Sequence, residues 1–310
     1  MVPKREQMLP RTRACPVCHT GAEKARLFLE GNIDPGRLTA SSFASRKEPE
    51  YMCHRLVQCP TCDLVYVDQP PAQDELAHAY HAATYDSSEE AKDAAAAYLS
   101  AMLPTIQALP RRRSALEIGT GTGIFLEHLE RAGFSELCGV EPSSAAIAAA
   151  PPSRRAWIRQ EMFDEHNFAP ESFDLICCFM TLEHVPDPGL VARGALRLLR
   201  TGGAFVTVTH DYRSWINRLL GRRSPIIDIE HMQMFSEPSV RYLFESSGYA
   251  DITSQRLVNS YSLDYWLRLT PLPPLLKRGM RNLLSAVRMY HCRLGIDVGN
   301  RITSGFKRDR

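Results

Sequence analysis

Short apolar runs alternate with amphipathic segments between residues 114 and 260. Each run has the length of a strand, and the segments between the runs carry apolar residues at helical spacing and end near glycine or proline. The five predicted strands are residues 114–118, 137–140, 156–159, 173–179 and 204–209. Strands that alternate with helices in this order predict a doubly wound α/β sheet.

Composition divides the chain into three units. Residues 1–72 hold two Cys-x-x-Cys pairs among aromatic and β-branched runs. Residues 73–110 are rich in alanine and predict a helical lid or connector, in which Pro104 should break or kink the second helix. Residues 111–310 carry the predicted sheet. These three ranges are the domains that we predict.

Two further segments complete the predicted α/β domain. Ser236 is the predicted N-cap of a helix that stops at Gly248. Residues 271–297 predict a basic amphipathic helical insertion, and residues 301–307 a last short strand. A basic amphipathic helix can lie on a membrane surface, but more often such a helix covers a sheet or a pocket. Membrane contact is therefore not expected.

The overall charge and composition exclude several classes of protein. The 310 residues carry a net charge of +2, and 44% of them are hydrophobic, as in an ordinary globular protein. This charge gives no reason to expect a nucleic acid partner. We see neither a signal-peptide pattern nor an apolar run of membrane-spanning length, so we expect a cytoplasmic protein. The sequence does not indicate an oligomeric state.

A glycine-rich turn follows the first predicted strand. Gly119, Gly121 and Gly123 alternate with threonines there, and glycines let the backbone approach a ligand closely. Glu141, at the end of the second predicted strand, is placed to accept hydrogen bonds from a ribose diol. Both features also fit a dinucleotide site. Glu117 favours a ligand with an ammonium group, because its carboxylate would repel the pyrophosphate of NAD.

Five runs in this region resemble the class I S-adenosylmethionine-dependent methyltransferases: LEIGTGTG, GVEPS, SFDLICCFMTLEHVPDP, LRTGGAFVTV and HMQMFSEPSVRYLFESSGY. They cover most of residues 114–250 in the order and spacing of that family. The resemblance implies a Rossmann-like, seven-stranded sheet whose last strand is antiparallel, which is the place of residues 301–307. It also implies that S-adenosylmethionine lies against the three glycines. Glu117 would then meet its amino group and Glu141 its ribose hydroxyls.

One segment departs from the family pattern. The family usually has a Gly-Asp pair after the third strand, and the aspartate contacts the adenine amino group. This chain has Glu161, Met162 and Phe163 there, with Met162 at the position of the aspartate. Either Glu161 substitutes after a small shift, or Phe163 and backbone groups hold the adenine. Met162 and Phe163 are therefore candidate cofactor-binding residues.

A Glu-His pair after the fourth predicted strand is the candidate catalytic centre. His184 is the predicted base, since a histidine titrates near pH ~6.5, and Glu183 could orient it. The alternative is that His184 packs under the cofactor and closes its pocket. Further side chains are predicted to line the acceptor pocket: Tyr80, Tyr85, His210 and His231.

The N-terminal unit has two matched Cys-x-x-Cys pairs, Cys15 with Cys18 and Cys59 with Cys62. In a chain without an export signal, such pairs indicate a metal rather than disulfides. Four thiolates around Zn²⁺ form a closed, structural site. The pairs and the run after Cys62 are similar to the N-terminal module of deoxysugar C-methyltransferases. That resemblance implies a small β-rich zinc module ahead of the methyltransferase domain, and a histidine base in the Glu-His pair.

These features predict an enzyme that transfers a methyl group from S-adenosylmethionine to a small-molecule acceptor, a sugar or a secondary-metabolite precursor. Two alternatives stay open. A zinc ribbon beside a methyltransferase domain also occurs in RNA methyltransferases, although residues 11–70 lack the basic aromatic surface that binds RNA. The second alternative is a protein that binds S-adenosylmethionine without catalysis, because the adenine segment departs from the family pattern.

Overall fold

Two sheets and the helices around them make up the described part of the chain. The computed structural model describes residues 12–38, 42, 50–72, 76, 80–81 and 88–309. The strands are β1 (Arg26–Leu29), β2 (Leu56–Gln58), β3 (Val65–Val67), β4 (Ser114–Ile118), β5 (Glu136–Val140), β6 (Ile158–Arg159), β7 (Phe173–Phe179), β8 (Leu199–His210), β9 (Gln233–Met234), β10 (Ala250–Ser262) and β11 (Arg293–Phe306). The α-helices are α1 (Ser88–Ala108), α2 (Ile124–Arg131), α3 (Ser144–Ala149), α4 (Pro152–Arg155), α5 (Pro188–Leu198), α6 (Trp215–Leu220), α7 (Glu237–Ser247), α8 (Leu263–Leu269) and α9 (Pro274–Ala286). None of these helices is long and apolar enough to cross a membrane.

The larger sheet has the strand order β10-β11-β8-β7-β4-β5-β6. The strands from β8 to β6 in this order pair in parallel. β11 is antiparallel to both of its neighbours, β8 and β10. This order confirms the predicted Rossmann-like, doubly wound sheet of seven strands with an antiparallel last strand. That strand is longer than residues 301–307, because its pairing with β10 extends back to Arg293.

Helices cover both faces of this sheet, which explains why its central strand is apolar throughout. All seven residues of β7 are buried. Ile176 and Cys178 contribute to a core that includes α5 and α7, and Leu175 and Cys177 to a second core that includes α1 and α2. Burial on both faces is what a continuous apolar run predicts. The interpretation of the two cysteines as core residues is confirmed.

α7 begins and ends where its local signals predict. The hydroxyl of Ser236 accepts a hydrogen bond from the backbone N–H of Ser239, whose own hydroxyl accepts one from the N–H of Ser236 (2.8 Å). Gly248, after the last turn, has a φ of 98°, in the left-handed region that favours glycine. This reciprocal capping fixes the start of a helix whose Val240 and Phe244 are fully buried.

Two helices differ from their predictions. α1 continues through Pro104, so of the predicted break or kink the break does not occur. Packing of the helix on the sheet, with buried side chains on both sides of the proline, offsets the hydrogen bond that proline removes. α9 ends at Ala286 rather than at residue 297, because Arg288 leaves the helical conformation with a φ of 58°. The chain then turns into β11.

The smaller sheet has the order β1-β2-β3-β9, with every pair antiparallel. Its fourth strand comes from the α/β part of the chain, where Met234 pairs with Val65 of β3. Val17 and Tyr66 also share a core with Phe235. The N-terminal residues are thus joined to the α/β residues through a common sheet and a common core. The boundaries of the three units stay a prediction.

Candidate active site and cysteine cluster

The carboxyl ends of the parallel strands open into a cleft with a volume of about 350 Å³. The turn after β4 contributes Gly119, Gly121 and Gly123, whose φ angles are 75°, 56° and 69°. A side chain at Gly119 would collide with Thr181, whereas the space beside Gly121 is open. The turn therefore presents bare backbone to the cleft.

Glu141 lies across this turn, just after β5. Its carboxylate accepts hydrogen bonds from the backbone N–H groups of Gly121 (2.8 Å) and Ser143 (2.9 Å). Burial raises the pKa of this carboxyl, and the two backbone donors oppose that shift. The main chain thus fixes the side chain at the wall of the cleft. Its contact with ribose hydroxyls stays a prediction.

Glu117 is a buried carboxyl near the end of β4. The hydroxyl of Thr120 donates a hydrogen bond to it, and only 4% of the residue is exposed. Burial raises the pKa of Glu117 to about 8, to which the charge of Glu141 also contributes. A carboxyl with this pKa is largely protonated at neutral pH, and a nearby cation would stabilise its ionised form. The site is therefore suited to a ligand with an ammonium group.

Met162 and Phe163 line the same cleft, next to Glu161. The side-chain amide of Asn167 donates to one carboxylate oxygen of Glu161 (2.9 Å), and Arg159 lies 3.6 Å from the other. Oε1 of Glu161 is buried and has no hydrogen-bond partner among the described residues. Glu161 therefore stays a candidate for the adenine amino group, beside Met162 and Phe163 as the surface for the ring, and all three roles stay predictions.

Three histidines lie side by side in the cleft. The ring centroids of His184 and His231 are 4.9 Å apart, and those of His231 and His210 are 5.8 Å apart. Nδ1 of His184 is 3.3 Å from the main-chain oxygen of Glu230 and 3.8 Å from its carboxylate. The hydroxyl of Tyr80 donates to the same main-chain oxygen (3.3 Å), and its ring meets His184 edge-on. The structure thus brings three predicted pocket residues to the predicted base.

Burial keeps two of these histidines neutral. It lowers the pKa of His210 to about 3 and also lowers the pKa of His231. Nδ1 of His210 is 2.8 Å from the amide oxygen of Asn300, and Nδ1 of His231 is 2.8 Å from the carbonyl oxygen of Ile226. Because both partners are acceptors, Nδ1 is the protonated nitrogen in each ring. Each Nε2 is then left as an acceptor.

The contacts described for Glu183 lie with the main chain, and its predicted role in orienting His184 stays a prediction. Its buried carboxylate accepts a hydrogen bond from the backbone N–H of His210 (2.7 Å), and its carbonyl accepts one from that of Met232 (2.7 Å). Burial raises the pKa of Glu183 to about 8. Among the contacts of the described residues, the carboxylate beside His184 is that of Glu230, which the sequence pattern did not single out. Glu183 instead ties the turn after β7 to the end of β8 and to the segment before β9.

Aromatic side chains complete the cleft. Tyr261 of β10 lies 4.8 Å from Tyr265 and 5.2 Å from Trp266 of α8, measured between ring centroids. All three line the cleft. They were not among the predicted pocket residues, because neither element carries a motif that would single them out. Tyr85, a predicted pocket residue, lies outside the described residues.

The four predicted metal ligands lie together. The Sγ atoms of Cys15 and Cys62 are 3.5 Å apart, those of Cys18 and Cys59 are 3.3 Å apart, and all four lie within 4.8 Å of one another. Neighbouring sulfurs around a tetrahedral zinc with ~2.3 Å bonds are about 3.8 Å apart. All four cysteines are free of disulfides. The hydrogen bond between Cys15 and Cys62 lowers the pKa of Cys15 and raises that of Cys62, so the pair loses its first proton more readily than its second. The cluster suggests a structural zinc site.

Known proteins are similar to parts of this chain. Residues 78–254 match the protein family described as methyltransferase domain. The ubiquinone biosynthesis O-methyltransferase of Sodalis glossinidius is 31% identical over 116 residues, which are 35% of this chain and 47% of the relative. That of Serratia proteamaculans is 30% identical over 116 residues, 35% of this chain and 48% of the relative. The chain thus spans about half the length of these curated relatives.

Solved structures are similar at a lower level of identity. A SAM-dependent methyltransferase of Thermotoga maritima, described as a possible histamine N-methyltransferase, is 19% identical, with a TM-score of 0.46 over 70% of this chain and 92% of that chain. The family match, by contrast, covers more than half of the chain and includes the glycine turn, Glu141 and His184. On that match, the chain belongs to the methyltransferase domain family.

Proposed function

We propose that the protein transfers a methyl group from S-adenosylmethionine to a small-molecule acceptor. The observation that carries this proposal is the make-up of one cleft, in which a glycine turn with two buried carboxyls, Glu117 and Glu141, is continuous with the histidines around His184. The carboxyls fit a ligand that has an ammonium group and a ribose diol. The histidines fit an acceptor that must lose a proton. Membership in the methyltransferase family supports the combination.

The residues of the cleft fit S-adenosylmethionine as a cofactor. The open space beside Gly121 leaves room for a ligand against the backbone. Glu117 would hold the ammonium group and Glu141 the ribose hydroxyls, while Met162 and Phe163 would flank the adenine. When bound, the cofactor supplies an electrophilic methyl group on a sulfonium. The protein's own task is then to align the acceptor and remove its proton.

His184 is the residue placed to remove that proton. Its Nδ1 lies at hydrogen-bond distance from the main-chain oxygen of Glu230, so Nε2 carries the lone pair that accepts the proton. The imidazolium formed in this step lies 3.8 Å from the Glu230 carboxylate, which stabilises the new charge. The hydrogen bond from Tyr80 to the same main-chain oxygen holds the pair in place.

Residues around His184 could also bind a metal ion, and an experiment can distinguish this from the role of His184 as a base. The ligating atoms of His184, Glu230 and His231 lie within 4.8 Å of one another, a spacing that also suits a transition metal. We favour the base, because Nδ1 of His184 already has a hydrogen-bond acceptor. Turnover that survives a chelator, with the zinc content of the cysteine cluster unchanged, supports the base. Turnover lost and then restored by metal supports the alternative.

We propose a ring-shaped, hydroxylated acceptor, which is a sugar or a secondary-metabolite precursor. The unprotonated Nε2 atoms of His210 and His231 can accept hydrogen bonds from hydroxyl groups. The rings of Tyr261 and Trp266 suit the face of a sugar or an aromatic ring. The names of the curated relatives, ubiquinone biosynthesis O-methyltransferases, support transfer to oxygen.

We propose further that the four cysteines hold a structural Zn²⁺. The two Cys-x-x-Cys turns bring four sulfurs together, which fills a tetrahedral site and leaves no position for a substrate. Cys59 and Cys62 lie between β2 and β3, and β3 pairs with β9. The metal would therefore fix the small sheet against the α/β residues and one side of the segment that carries Glu230.

Calorimetry and kinetics on His184→Ala test the proposed function. We expect the Kd of S-adenosylmethionine to change less than about threefold and kcat to fall about 10²- to 10⁴-fold, because only proton transfer is lost. His166→Ala, at an exposed position, is the matched control and should behave as the wild type. Equal losses of affinity and turnover would assign His184 to packing.

The two alternative functions, an RNA methyltransferase and a non-catalytic binding protein, predict different results. An RNA methyltransferase would be retained on RNA at moderate salt, which the net charge of +2 does not favour. A non-catalytic protein would bind S-adenosylmethionine and form no S-adenosylhomocysteine with any acceptor in a panel of sugars and phenols. No binding of S-adenosylmethionine to the wild type would overturn the proposed function.

A further inference from the structure

Most side chains of helix α9 are exposed, and only Lys277 and Leu284 are half-buried among its described residues. None of the residues Pro274–Ala286 is buried against the described part of the chain. The exposed fractions of Leu276, Met280, Leu283 and Val287 are 56%, 46%, 64% and 52%. A helix that covered the sheet or the acceptor pocket, as the sequence led us to expect, would bury such side chains. The helix instead presents an apolar stripe to solvent.

The apolar side chains of this stripe share one face. Leu276 and Val287, the residue that directly follows α9, are its ends, and its four members are spaced by four, three and four positions, which matches 3.6 residues per turn. Arg278, Arg281 and Ser285 fall on the opposite face by the same spacing. The segment therefore places most of its exposed apolar side chains away from these basic ones, as an interfacial helix does, while Leu275, which is 83% exposed, lies outside the stripe.

The segment that contains α9, residues 265–296, carries only basic charged side chains. Between Asp264 and Asp297 the sequence contains no acidic residue. It contains six basic ones, Arg268, Lys277, Arg278, Arg281, Arg288 and Arg293. The guanidinium of Arg281 lies 2.8 Å from Asp264, and the amine of Lys277 donates to the carbonyl of Arg268 (2.7 Å), so α9 is anchored to α8. The protein thus holds an apolar stripe within a basic segment, on a fixed helix.

We propose that α9 docks the protein on an anionic membrane surface. The stripe enters the boundary between headgroups and acyl chains, and the basic side chains meet the anionic headgroups. A second copy of the chain fits this face less well, because two such segments would bring like charges together, although Arg281 and Arg293 of each copy are already paired with Asp264 and Asp93. An anionic lipid surface complements both the stripe and the charge.

The place of α9 in the chain relates docking to the cleft. α9 directly follows α8, which contributes Tyr265, Trp266 and Leu269 to the lining of the cleft. Docking therefore brings the aromatic side of the cleft near the membrane. This last step rests on the proposed function: the acceptor is then a hydroxylated ring linked to a lipid, rather than a freely soluble one.

Co-sedimentation of the full chain with vesicles tests the docking. Phosphatidylcholine vesicles are compared with vesicles that also contain phosphatidylglycerol, at low and high salt. We expect binding to the anionic vesicles that weakens with salt. The pair Leu276→Ser and Leu283→Ser removes half of the stripe and should lower the partition coefficient at least about tenfold. The pair Arg278→Gln and Arg288→Gln removes two charges and should lower it about tenfold.

Matched controls replace similar residues elsewhere. Leu190 of α5 is 53% exposed, close to the exposure of Leu276, and Leu190→Ser should bind vesicles as the wild type does. Arg112→Gln, at another exposed arginine, should do the same. Wild type that ignores anionic vesicles, or binding that both variant pairs leave unchanged, would overturn the proposal. A dimer that dissociates in the leucine pair, without any vesicle binding, would assign the stripe to self-association.

Calorimetry on the same proteins separates this proposal from the proposed function. The leucine pair should bind S-adenosylmethionine with unchanged Kd, because Leu276 and Leu283 lie outside the cleft lining. Vesicle binding by a wild type that does not bind S-adenosylmethionine would remove the proposed function and leave the docking in place. A wild type that binds S-adenosylmethionine but not vesicles would overturn the docking proposal and leave the proposed function in place.

Discussion

Replacement of Glu117 by glutamine tests how the cleft selects its ligand. Burial raises the pKa of this carboxyl to about 8, so roughly one molecule in ten is ionised there at pH 7. Ionisation then costs about 1 kcal/mol, a factor of roughly ten in affinity. An ammonium group in contact with the ionised carboxylate contributes up to about 4 kcal/mol at an effective dielectric constant of about 20. The net gain of about 2–3 kcal/mol corresponds to roughly a hundredfold in Kd.

The sign of the pH dependence follows from the same shift. Glu117 holds a proton up to about pH 8 in the empty site, and an ammonium group favours the ionised form, so binding below that pH releases a proton. Affinity should rise by up to about tenfold per pH unit as the pH approaches 8. Above about pH 8 the amino group of the ligand loses its own charge. Affinity should therefore peak near the pKa of Glu117.

Isothermal calorimetry with S-adenosylhomocysteine, in buffers of different ionisation enthalpy, measures both the Kd and the number of protons released on binding. The wild type should release close to one proton per ligand at neutral pH, and Glu117→Gln should release none and bind roughly a hundredfold more weakly. Glu127→Gln is the matched control, because Glu127 forms ion pairs with Arg131 and Arg154 on the surface of α2. Binding without proton release, at an affinity that stays constant up to the pKa, would refute the role assigned to Glu117.

Three further predictions concern other groups. Glu230→Gln should lower kcat about tenfold or more and leave the Kd of S-adenosylmethionine unchanged, because the imidazolium of His184 loses the carboxylate beside it. Kinetics measures kcat and calorimetry measures Kd, and equal changes in the two would contradict the prediction. Burial raises the pKa of Glu183 from 4.5 to about 8. The protonated Glu183 side chain therefore contributes its full stabilisation of the fold below pH 4.5, and this stabilisation is lost, by up to roughly 5 kcal/mol, as the pH rises through about 8. Thermal melts in mildly acidic and mildly alkaline buffer measure this loss, which should shrink in Glu183→Gln; the same loss in variant and wild type would exclude Glu183 as its source. Cys59→Ser should abolish bound zinc and lower Tm by several degrees. The control Cys292→Ser, at an exposed cysteine, should keep the wild-type zinc content and Tm. Zinc retained by Cys59→Ser in elemental analysis would count against the site.

The sheet could be predicted from the sequence because its central elements carry local signals. Residues 173–179 are apolar throughout, and every one of them is buried. The glycines after β4 adopt the positive φ angles that glycine permits. Ser236 and Gly248 bound α7 through hydrogen bonds to residues a few positions away. Each of these features depends on a short stretch of chain, so the pattern contains it.

The course of the chain after β10 depends on distant pairing instead. The first half of β11 carries Arg293 and Asp297 and has no continuous apolar run. It is a strand because it pairs with β10, from Arg293 opposite Ser262 onward. Local periodicity therefore extended the basic helix to residue 297, although α9 ends at Ala286.

The carboxylate beside the proposed base could not be predicted for a similar reason. Glu183 is adjacent to His184 in the sequence, but its carboxylate is held by the backbone of His210. Glu230 is 46 positions from His184 and reaches it because two loops meet at the end of β8. The one available signal was local: Glu230 directly precedes His231, which was already a predicted pocket residue.

Titration of S-adenosylmethionine into the zinc-loaded wild type and into Glu141→Ala tests the central claim most directly. The claim is that the glycine turn and its two carboxyls form a site for this cofactor. It predicts micromolar binding of one molecule per chain, at least about tenfold weaker in the variant because two ribose hydrogen bonds are lost, and no comparable binding of NAD. Binding of S-adenosylmethionine that Glu141→Ala leaves unchanged, or tighter binding of NAD, would contradict it.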